Sequence, residues 1–227
     1  MSLQVAAVIP AYQAAPSVGA VVRGTLELLP EVLVVDDGST DGTGEEARKA
    51  GARVLSFPCN RGKGAALAAA FQDLFGRGFD GVVTLDADGQ HLPEEIPKLL
   101  RVAETGEDLV LGVRDHLFSE MSALRRASNR LSSKAISFVA GQRLSDIQTG
   151  FRFYSRRLID TVGFPETRFE AESAVVVRAA RRGFKVVTVP ARLGFADGRT
   201  TSHYRPLIDS LRIARAVTLA RFEKGRG

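Results

Sequence analysis

The stretch of sequence best suited to chemistry is 86–91, Asp-Ala-Asp-Gly-Gln-His, in which two aspartates are separated by one residue. It follows the apolar run 81–85, which predicts a buried strand, so both carboxylates can turn toward one site at the end of that strand. Oxygen ligands of this kind suit Mg²⁺ or Mn²⁺, which keep several waters and bind substrate phosphates. An Asp-Gly pair is also a common turn former. We favour the metal site and predict Asp86 and Asp88 as its ligands.

A second acidic segment, 36–42, follows the second apolar run of the chain. Carboxylates at the end of such a strand can accept hydrogen bonds from a ribose or a nucleobase. We therefore predict that Asp36 and Asp37 bind a nucleotide. Ser39 and Asp41 are candidate caps for the helix that follows. Turn and capping chemistry is the alternative for the whole segment, and for Asp41 it is the interpretation that we prefer.

Residues 60–65, Asn-Arg-Gly-Lys-Gly-Ala, open a predicted helix. Glycines let a ligand approach the backbone closely, and the free amides of a helix start, together with Lys63, favour an anion there. The segment lacks the spacing of a P-loop. It also follows the third strand rather than the first, which excludes the dinucleotide-binding glycine pattern. A simple glycine-rich helix entry explains these residues equally well.

Short apolar runs alternate with segments of helical periodicity over the first half of the chain. They predict strands at 5–9, 32–35, 53–57, 81–85 and 108–112, and helices at 18–29, 42–50, 62–75 and 93–103. Strands of this kind form a mostly parallel sheet covered by helices on both faces, an α/β fold. Ligands bind outside the carboxyl ends of such strands, so the acidic and glycine-rich segments should converge on one crevice.

The pattern changes beyond residue 112. It predicts helices at 121–140, 171–182 and 206–222, and strands at 151–154 and 185–189. Residues 194–203 are polar and contain glycines, which is typical of a mobile loop. We hypothesise that this loop closes over a bound diphosphate, with Arg199, Ser202 or His203 in contact with it.

Composition sets further limits. The 227 residues carry a net charge of +5 and a single cysteine, Cys59, which excludes a disulfide framework and a multi-cysteine metal site. The chain lacks an apolar stretch of about 18 residues that would predict a membrane span. The N-terminus lacks a signal-peptide pattern, which predicts a cytoplasmic protein. Most arginines lie after residue 114, which indicates a basic surface for phosphate groups or anionic lipids, or an ordinary solvated surface.

Four motifs in this order resemble glycosyltransferase family 2, and within it the dolichyl-phosphate-mannosyltransferase-like branch. They are the strand end 8–12, the acidic segment 35–43, the glycine-rich segment 60–65 and the paired aspartates of 86–91. The resemblance continues through 146–152 and 169–172 and covers about nine tenths of the chain. The family usually has Tyr-Asn-Glu after the first strand. This chain has Tyr12-Gln13-Ala14 there, so one acidic nucleotide contact is missing.

The resemblance implies a GT-A fold, a UDP- or GDP-sugar donor, a divalent metal and inversion at the anomeric carbon. No linker divides the chain, so we expect one domain over 1–227, with a nucleotide-sugar-binding half at 1–112 and an acceptor-binding half at 113–227. Nucleotide-sugar contacts are expected from Pro10, Ala11, Tyr12, Asp36, Asp37, Lys63, Asp86 and Ala87. The expected metal set is Asp86, Asp88 and Gln90. The expected acceptor-phosphate set is Arg114, one basic residue among Arg125, Arg126 and Arg130, and Ser202.

Inversion requires in-line attack by the acceptor while the nucleoside diphosphate leaves. An oxygen of a polyprenyl or dolichyl phosphate is already anionic near neutral pH and needs no general base, whereas a soluble or saccharide hydroxyl needs a carboxylate to take its proton. Asp146, Glu170 and Glu172 are the candidates, although the two glutamates also fit as charges at a helix N-terminus. The predicted catalytic set is Asp88, Asp146, Glu172 and Arg114. A lipid-phosphate acceptor would place the protein at the inner face of the membrane.

Two other functions fit parts of the pattern. A nucleotidyltransferase also uses an α/β sheet with an acidic metal site, but it requires a glycine-rich basic motif after the first strand, where this chain has Ala-Tyr-Gln-Ala-Ala at 11–15. A nucleic-acid-binding protein would explain an isoelectric point near 9.7 but gives the paired aspartates no role. We therefore predict no nucleic-acid partner. The sequence leaves the oligomeric state open, a homodimer included.

Overall fold

The computed structural model describes residues 3–113, 137, 141–142, 147, 149–192, 213 and 215–220. Its centre is a seven-stranded sheet of order β3-β2-β1-β4-β6-β5-β7. The strands are β1 (Val5–Ala11), β2 (Val32–Asp36), β3 (Arg53–Ser56), β4 (Gly81–Thr84), β5 (Leu109–Val113), β6 (Arg152–Ser155) and β7 (Val186–Pro190). The apolar runs of β1, β2, β4 and β5 are buried on both faces, as the inner strands of a covered sheet must be, whereas the edge strands β3 and β7 are partly exposed.

The sheet is mostly parallel, which confirms the predicted fold class. β6 is the exception, because it runs antiparallel to both of its neighbours, β4 and β5. The sequence predicted a strand at this place but not its direction. The reversed strand carries residues 152–155 back across the middle of the sheet, so that the segment just before it lies at the carboxyl end of β4.

Helices cover both faces of the sheet. They are α1 (Ala15–Leu26), α2 (Thr43–Lys49), α3 (Lys63–Gly76), α4 (Ile96–Ala103), α5 (Arg156–Val162) and α6 (Glu170–Arg181), and residues 215–220 are also helical. Apolar side chains of α3 and α6 fill the core on one face, and those of α1 and α4 fill the core on the other. No helix in the described ranges is both long and apolar enough to cross a membrane.

Several predicted boundaries are wrong for identifiable reasons. β1 does not stop at Pro10 but continues to Ala11, because the parallel pairing with β2 extends to Ala11 opposite Asp36. The predicted helix at 93–103 begins as a 3-10 turn at Pro93–Glu95. α5 was not predicted; Ser155 caps it by accepting a hydrogen bond from the backbone N–H of Leu158 at 3.0 Å.

Some predicted elements fall outside the described residues. The predicted helix at 121–140 is described only at residue 137, which is helical, and the predicted helix at 206–222 only at 213 and 215–220. The hypothesised mobile loop at 194–203 lies wholly outside them.

Candidate active site

The predicted convergence of the polar segments is observed at the carboxyl ends of β1 to β4. The backbone N–H of Asp37, after β2, donates to the carbonyl of Ala11 at the end of β1 at 2.8 Å. The hydroxyl of Ser17, in α1, donates to the carbonyl of Ala87 at 2.7 Å. Contacts between these segments therefore build one continuous edge from parts of the chain that are far apart in sequence.

The turn that carries the paired aspartates is braced from within. The backbone N–H of Asp86 donates to Nδ1 of His91 at 3.2 Å, and the backbone N–H of Gln90 donates to Oδ1 of Asp88 at 3.0 Å. The His91 ring is buried and stacks on Phe151, with the ring centroids 5.6 Å apart. His91 therefore holds this turn in shape, and the contacts favour that structural role over a phosphate contact.

The two carboxylates of this turn have the chemistry that a divalent cation requires. The pKa of Asp88 is raised, because burial disfavours its charged form and because the charge of Asp86 repels it. In the part of the chain that the structure describes, no group of three or more His, Cys, Asp or Glu side chains is arranged to hold a metal. A set of two carboxylates fits Mg²⁺ or Mn²⁺, which take most of their remaining ligands from water and substrate phosphates.

Lys63 connects this turn to α6. Its Nζ lies 2.7 Å from Oδ1 of Asp86 and 3.0 Å from Oε2 of Glu172, and its side chain is largely buried. Burial alone would lower the pKa of Lys63, but attraction to the Asp86 and Glu172 carboxylates outweighs it and raises that pKa above its usual range. Lys63 therefore carries a positive charge beside the paired aspartates. A positive charge at this position is what the sequence analysis predicts. Glu172 is thus ion-paired with Lys63.

Hydrogen bonds within the protein hold the segment that leads into α3. The carboxylate of Asp37 accepts hydrogen bonds from the backbone N–H groups of Arg61 at 2.7 Å and Gly62 at 2.8 Å. The backbone N–H of Ala65 donates to the carbonyl of Thr167 at 2.9 Å. Asp37 and Thr167 therefore occupy three of the backbone amides at 61–65.

The two glycines of this segment make room for protein backbone. A Cβ added to Gly62 would lie 2.5 Å from the carbonyl oxygen of Thr167, and one added to Gly64 would lie 2.4 Å from that of Glu166. Such distances are shorter than non-bonded contacts allow. The glycines therefore let residues 166–167, which lead into α6, pack against the start of α3.

The acidic segment after β2 holds the entry to α1. Ser39 Oγ accepts from the backbone N–H of Gln13 at 3.0 Å, and Oδ2 of Asp41 accepts from that of Ala15 at 3.1 Å. The expectation that Ser39 caps α2 is wrong, because the N-cap residue of α2 is Gly42. Asp41 keeps a capping role in part, since its other oxygen accepts from the backbone N–H of Thr43, the first residue of α2.

The remaining predicted residues divide into two groups. Pro10, Ala11, Tyr12 and Asp36 lie at the ends of β1 and β2, where Asp36 is buried and accepts from the backbone N–H of Ser39 at 3.0 Å. The other group lies outside the described residues and comprises Arg114, Arg125, Arg126, Arg130, Asp146 and Ser202.

Comparison with known proteins identifies the family. The model of the family described as "Glycosyl transferase family 2" matches residues 6–163. This chain belongs to glycosyltransferase family 2. It is therefore an enzyme of that family, and the predicted family is confirmed.

Two relatives of this glycosyltransferase share about one third of their aligned residues with it. Over 184 residues the chain is 34% identical to glycosyltransferase AglJ of Haloferax volcanii; the match covers 80% of this chain but only 60% of that protein. Over 201 residues it is 33% identical to the undecaprenyl-phosphate mannosyltransferase of Micrococcus luteus, covering 83% and 82% of the two chains. The chain thus spans about three fifths of the first relative and most of the second.

A solved structure confirms the fold. Glucosyl-3-phosphoglycerate synthase of Mycobacterium tuberculosis, in complex with Mn²⁺, UDP-glucose and phosphoglyceric acid, superposes with a TM-score of 0.75 at 21% identity. The superposition covers 99% of this glycosyltransferase and 82% of that chain. At this identity the likeness establishes the shared GT-A fold and no more.

Three residues beside the site were missed by the sequence analysis. Thr84, Gly150 and Arg152 are buried around Asp86: the hydroxyl of Thr84 donates to the carbonyl of Gly150 at 2.8 Å, and Gly150 packs against the Asp86 carboxylate. Gly150 and Arg152 lie in the stretch 146–152 that carries the resemblance, but the sequence analysis gave them no role. A further signal was the charged residue at position 152 inside an otherwise aromatic strand, since charged residues are rarely fully buried without partners.

Proposed function

We propose that this glycosyltransferase moves a sugar from a nucleoside-diphosphate sugar to a polyprenyl phosphate, with Mg²⁺ or Mn²⁺ held by Asp86 and Asp88. The observation that carries the proposal is the pair of mutually repelling carboxylates at the carboxyl end of β4, with the Lys63 ammonium beside them. This arrangement suits a cation and a diphosphate together, because each neutralises part of the other's charge.

Carboxylates of the protein lie at two helix starts of this edge. Helix N-termini ordinarily bind phosphates through free amides and the helix dipole. At the start of α1, Asp41 accepts a hydrogen bond from the backbone N–H of Ala15, and just before α3, Asp37 accepts from those of Arg61 and Gly62. Because these carboxylates already offset part of the positive end of each helix, a diphosphate at this edge needs further positive charge, which Lys63 and the cation would supply. When bound, the cation neutralises the charge that develops on the departing diphosphate.

The protein's own groups have separate roles in this scheme. Asp86 and Asp88 hold the cation, with the Gln90 amide as a further oxygen ligand, and Lys63 contacts the diphosphate. The nucleoside lies against Pro10, Ala11, Tyr12, Asp36 and the Asp37 turn. The buried ion pair of Glu172 with Lys63 supports a holding role for Glu172 rather than that of a general base. Such a base is not required when the attacking atom is a phosphate oxygen, which carries no proton near neutral pH.

The acceptor is proposed from the relatives and from the charge of the chain. The Micrococcus luteus relative is named as an undecaprenyl-phosphate mannosyltransferase, and a relative from Mycolicibacterium smegmatis, 30% identical over 81% of this chain, as a polyprenol monophosphomannose synthase. In this scheme Arg114, Arg126, Arg130 and Ser202 bind the acceptor phosphate, since arginine pairs with phosphate through two parallel hydrogen bonds. The enzyme would work in the cytoplasm at the inner face of the membrane.

The decisive experiment varies donor, acceptor and metal together. UDP- and GDP-sugars are offered with a short polyprenyl phosphate or with the matching polyprenol, in Mn²⁺, Mg²⁺ or a chelator. Transfer should occur only to the phosphate and only with a cation. Asp88→Asn should reduce turnover by about 10²-fold or more, the range for loss of one electrostatic stabiliser.

Asp80→Asn is the matched control, because Asp80 lies at the opposite end of β4 and accepts from the backbone N–H of Gln4 at 2.9 Å. It should leave turnover unchanged. Undiminished transfer in the chelator would rule out the metal site. Equal transfer to polyprenol would instead point to a hydroxyl acceptor and a carboxylate base.

A further inference from the structure

Arg152, in β6, is fully buried and donates almost entirely to backbone carbonyls. Its Nε donates to the carbonyl of Thr149 at 2.7 Å, and its two terminal nitrogens donate to the carbonyls of Ile147 and Glu172, each at 2.6 Å. The Glu172 carboxylate lies further away, with Oε1 3.7 Å from Nε. The planar guanidinium therefore connects three carbonyls from two separate segments of the chain.

One of these segments runs along the wall beside Asp86. Ile147 and Thr149 precede Gly150, whose Cα faces the Asp86 carboxylate so closely that an added Cβ would lie 2.5 Å from both carboxylate oxygens. The carbonyl of Gly150 is held in turn by the Thr84 hydroxyl at 2.8 Å. The position of Gly150 therefore limits where the Asp86 side chain can lie.

The other segment is the first turn of α6. Arg152 binds the backbone of Glu172, whose carboxylate contacts Lys63, and Lys63 contacts Asp86. Arg152 thus supports Asp86 from two sides, through Gly150 on one and through the Glu172–Lys63 pair on the other.

A guanidinium in such a place is costly, because removing a charge from water requires strong compensation. An apolar side chain could fill the same volume without that cost. What an apolar side chain could not do is hold three carbonyls in a fixed plane, since only arginine presents a rigid fork of donors.

We infer that Arg152 is a positioning residue for the cation site, holding Gly150 and Glu172 so that Asp86 keeps the orientation in which it binds a divalent cation. The inference rests on the proposed function, in which Asp86 and Asp88 hold the cation. Arg152 acts through its neighbours and touches neither cation nor substrate.

The test compares two arginines at opposite ends of β6, both of which donate hydrogen bonds to backbone carbonyls. Arg156, at the start of α5, also donates to backbone carbonyls, those of Phe75 and Phe79. Lysine retains the charge but loses the fork, so Arg152→Lys and Arg156→Lys are matched variants. Binding of Mn²⁺ alone is measured by electron paramagnetic resonance, folding by denaturant titration, and local opening by hydrogen exchange.

Arg152→Lys should weaken Mn²⁺ binding roughly 10- to 100-fold, the usual effect of losing a group that orients a metal ligand. It should lower kcat and speed exchange in peptides covering 147–154 and 170–176. Arg156→Lys should leave Mn²⁺ affinity and kcat unchanged and speed exchange near 75–80. Thr84→Val, which removes only the hydroxyl that holds Gly150, should weaken Mn²⁺ binding in the same direction by a smaller factor.

The outcomes separate this inference from the proposed function. If wild type binds Mn²⁺ through Asp88 but Arg152→Lys binds it equally well, the positioning role is overturned and the cation site stands. If Arg152→Lys does not fold, unchanged Mn²⁺ affinity in Thr84→Val overturns the role. If wild type binds no Mn²⁺, or Asp88→Asn binds it as tightly as wild type, the cation site fails and the inference fails with it.

Discussion

The ammonium nitrogen of Lys63 lies 2.7 Å from Oδ1 of Asp86, so the first residue of α3 is paired with the turn that follows β4. The same nitrogen lies 3.0 Å from Oε2 of Glu172 in α6. The buried ammonium group of Lys63 thus compensates two carboxylates that come from different parts of the chain. Because Lys63 and Glu172 are largely shielded from water and Asp86 is partly shielded, their attraction is stronger than it would be on the surface.

We predict that Lys63→Met destabilises the protein by about 3–5 kcal/mol, the cost of leaving buried charges without their partner. Adding Glu172→Gln should recover part of this loss, because it removes one of the two stranded carboxylates. Urea titration measures both variants. Lys49→Met is the control, since the Lys49–Glu46 pair is exposed and its loss should have no measurable effect. Equal stability of wild type and Lys63→Met would contradict the prediction.

Gly150→Ala should damage the cation site directly. The added Cβ would lie 2.5 Å from both oxygens of Asp86, so the carboxylate or the backbone of residue 150 must move. We expect Mn²⁺ affinity and turnover to fall roughly 10- to 100-fold. Calorimetric titration with Mn²⁺ alone measures the first, and a transfer assay the second.

The control for this substitution is Gly76→Ala, at the end of α3. An added Cβ there meets nothing within 4 Å. Alanine in a helix is up to about 1 kcal/mol better than glycine. Gly76→Ala should therefore leave metal affinity unchanged and the protein equally or slightly more stable. An equal loss of affinity in both variants would show that the effect of Gly150→Ala is not local.

Asp37→Asn should loosen the start of α3. The two oxygens of Asp37 accept hydrogen bonds from Arg61 and Gly62, and an amide retains only one acceptor oxygen. Loss of one hydrogen bond to a charged group costs about 1.5–3 kcal/mol. Denaturant titration should show this loss, and hydrogen exchange should speed up at residues 61–65. Unchanged exchange there would mean that Asp37 does not hold this helix start.

Asp41 should give the fold an acid-sensitive contribution. Burial alone would raise the pKa of Asp41, but hydrogen bonds from the Thr43 hydroxyl and from backbone N–H groups outweigh it and lower that pKa below its usual 3.8. A lowered pKa in the folded state stabilises the protein above pH 3.8, and this stability is lost as the pH falls through the lowered value. Because Asp41 is exposed and solvent weakens its interactions, Asp41→Ala should lower the stability at neutral pH by less than about 1 kcal/mol.

The pH dependence provides the check on Asp41. Thermal unfolding of wild type and Asp41→Ala is compared from pH 7 down to pH 3. The difference between them should be constant near neutrality and shrink below the usual aspartate pKa, because protonated Asp41 loses the negative charge that strengthens the hydrogen bonds it accepts from Ala15 and Thr43. A difference of the same size at every pH would show that the charge of Asp41 contributes nothing.

Local pattern in the sequence was enough to determine most of the elements and the placement of the motifs, although it missed α5. Strands appear as continuous apolar runs and helices as segments of period 3.6, and both depend on neighbours within a few residues. The acidic and glycine-rich segments follow strands, so their arrival at one edge follows from the parallel sheet alone. This is why the fold class and the common edge at 36–37, 63 and 86–88 were predicted correctly, whereas the family followed from the resemblance of four motifs in their order.

Only the tertiary structure decided what each of these side chains binds. Asp37 is paired with amides 24 and 25 residues away, Lys63 with a carboxylate 23 residues away, and Arg152 with a carbonyl 20 residues away. The antiparallel direction of β6, which brings Gly150 to Asp86, is likewise a matter of packing. Periodicity reports which face of an element is buried but not which distant group will meet it, because that choice is made when the helices dock on the sheet.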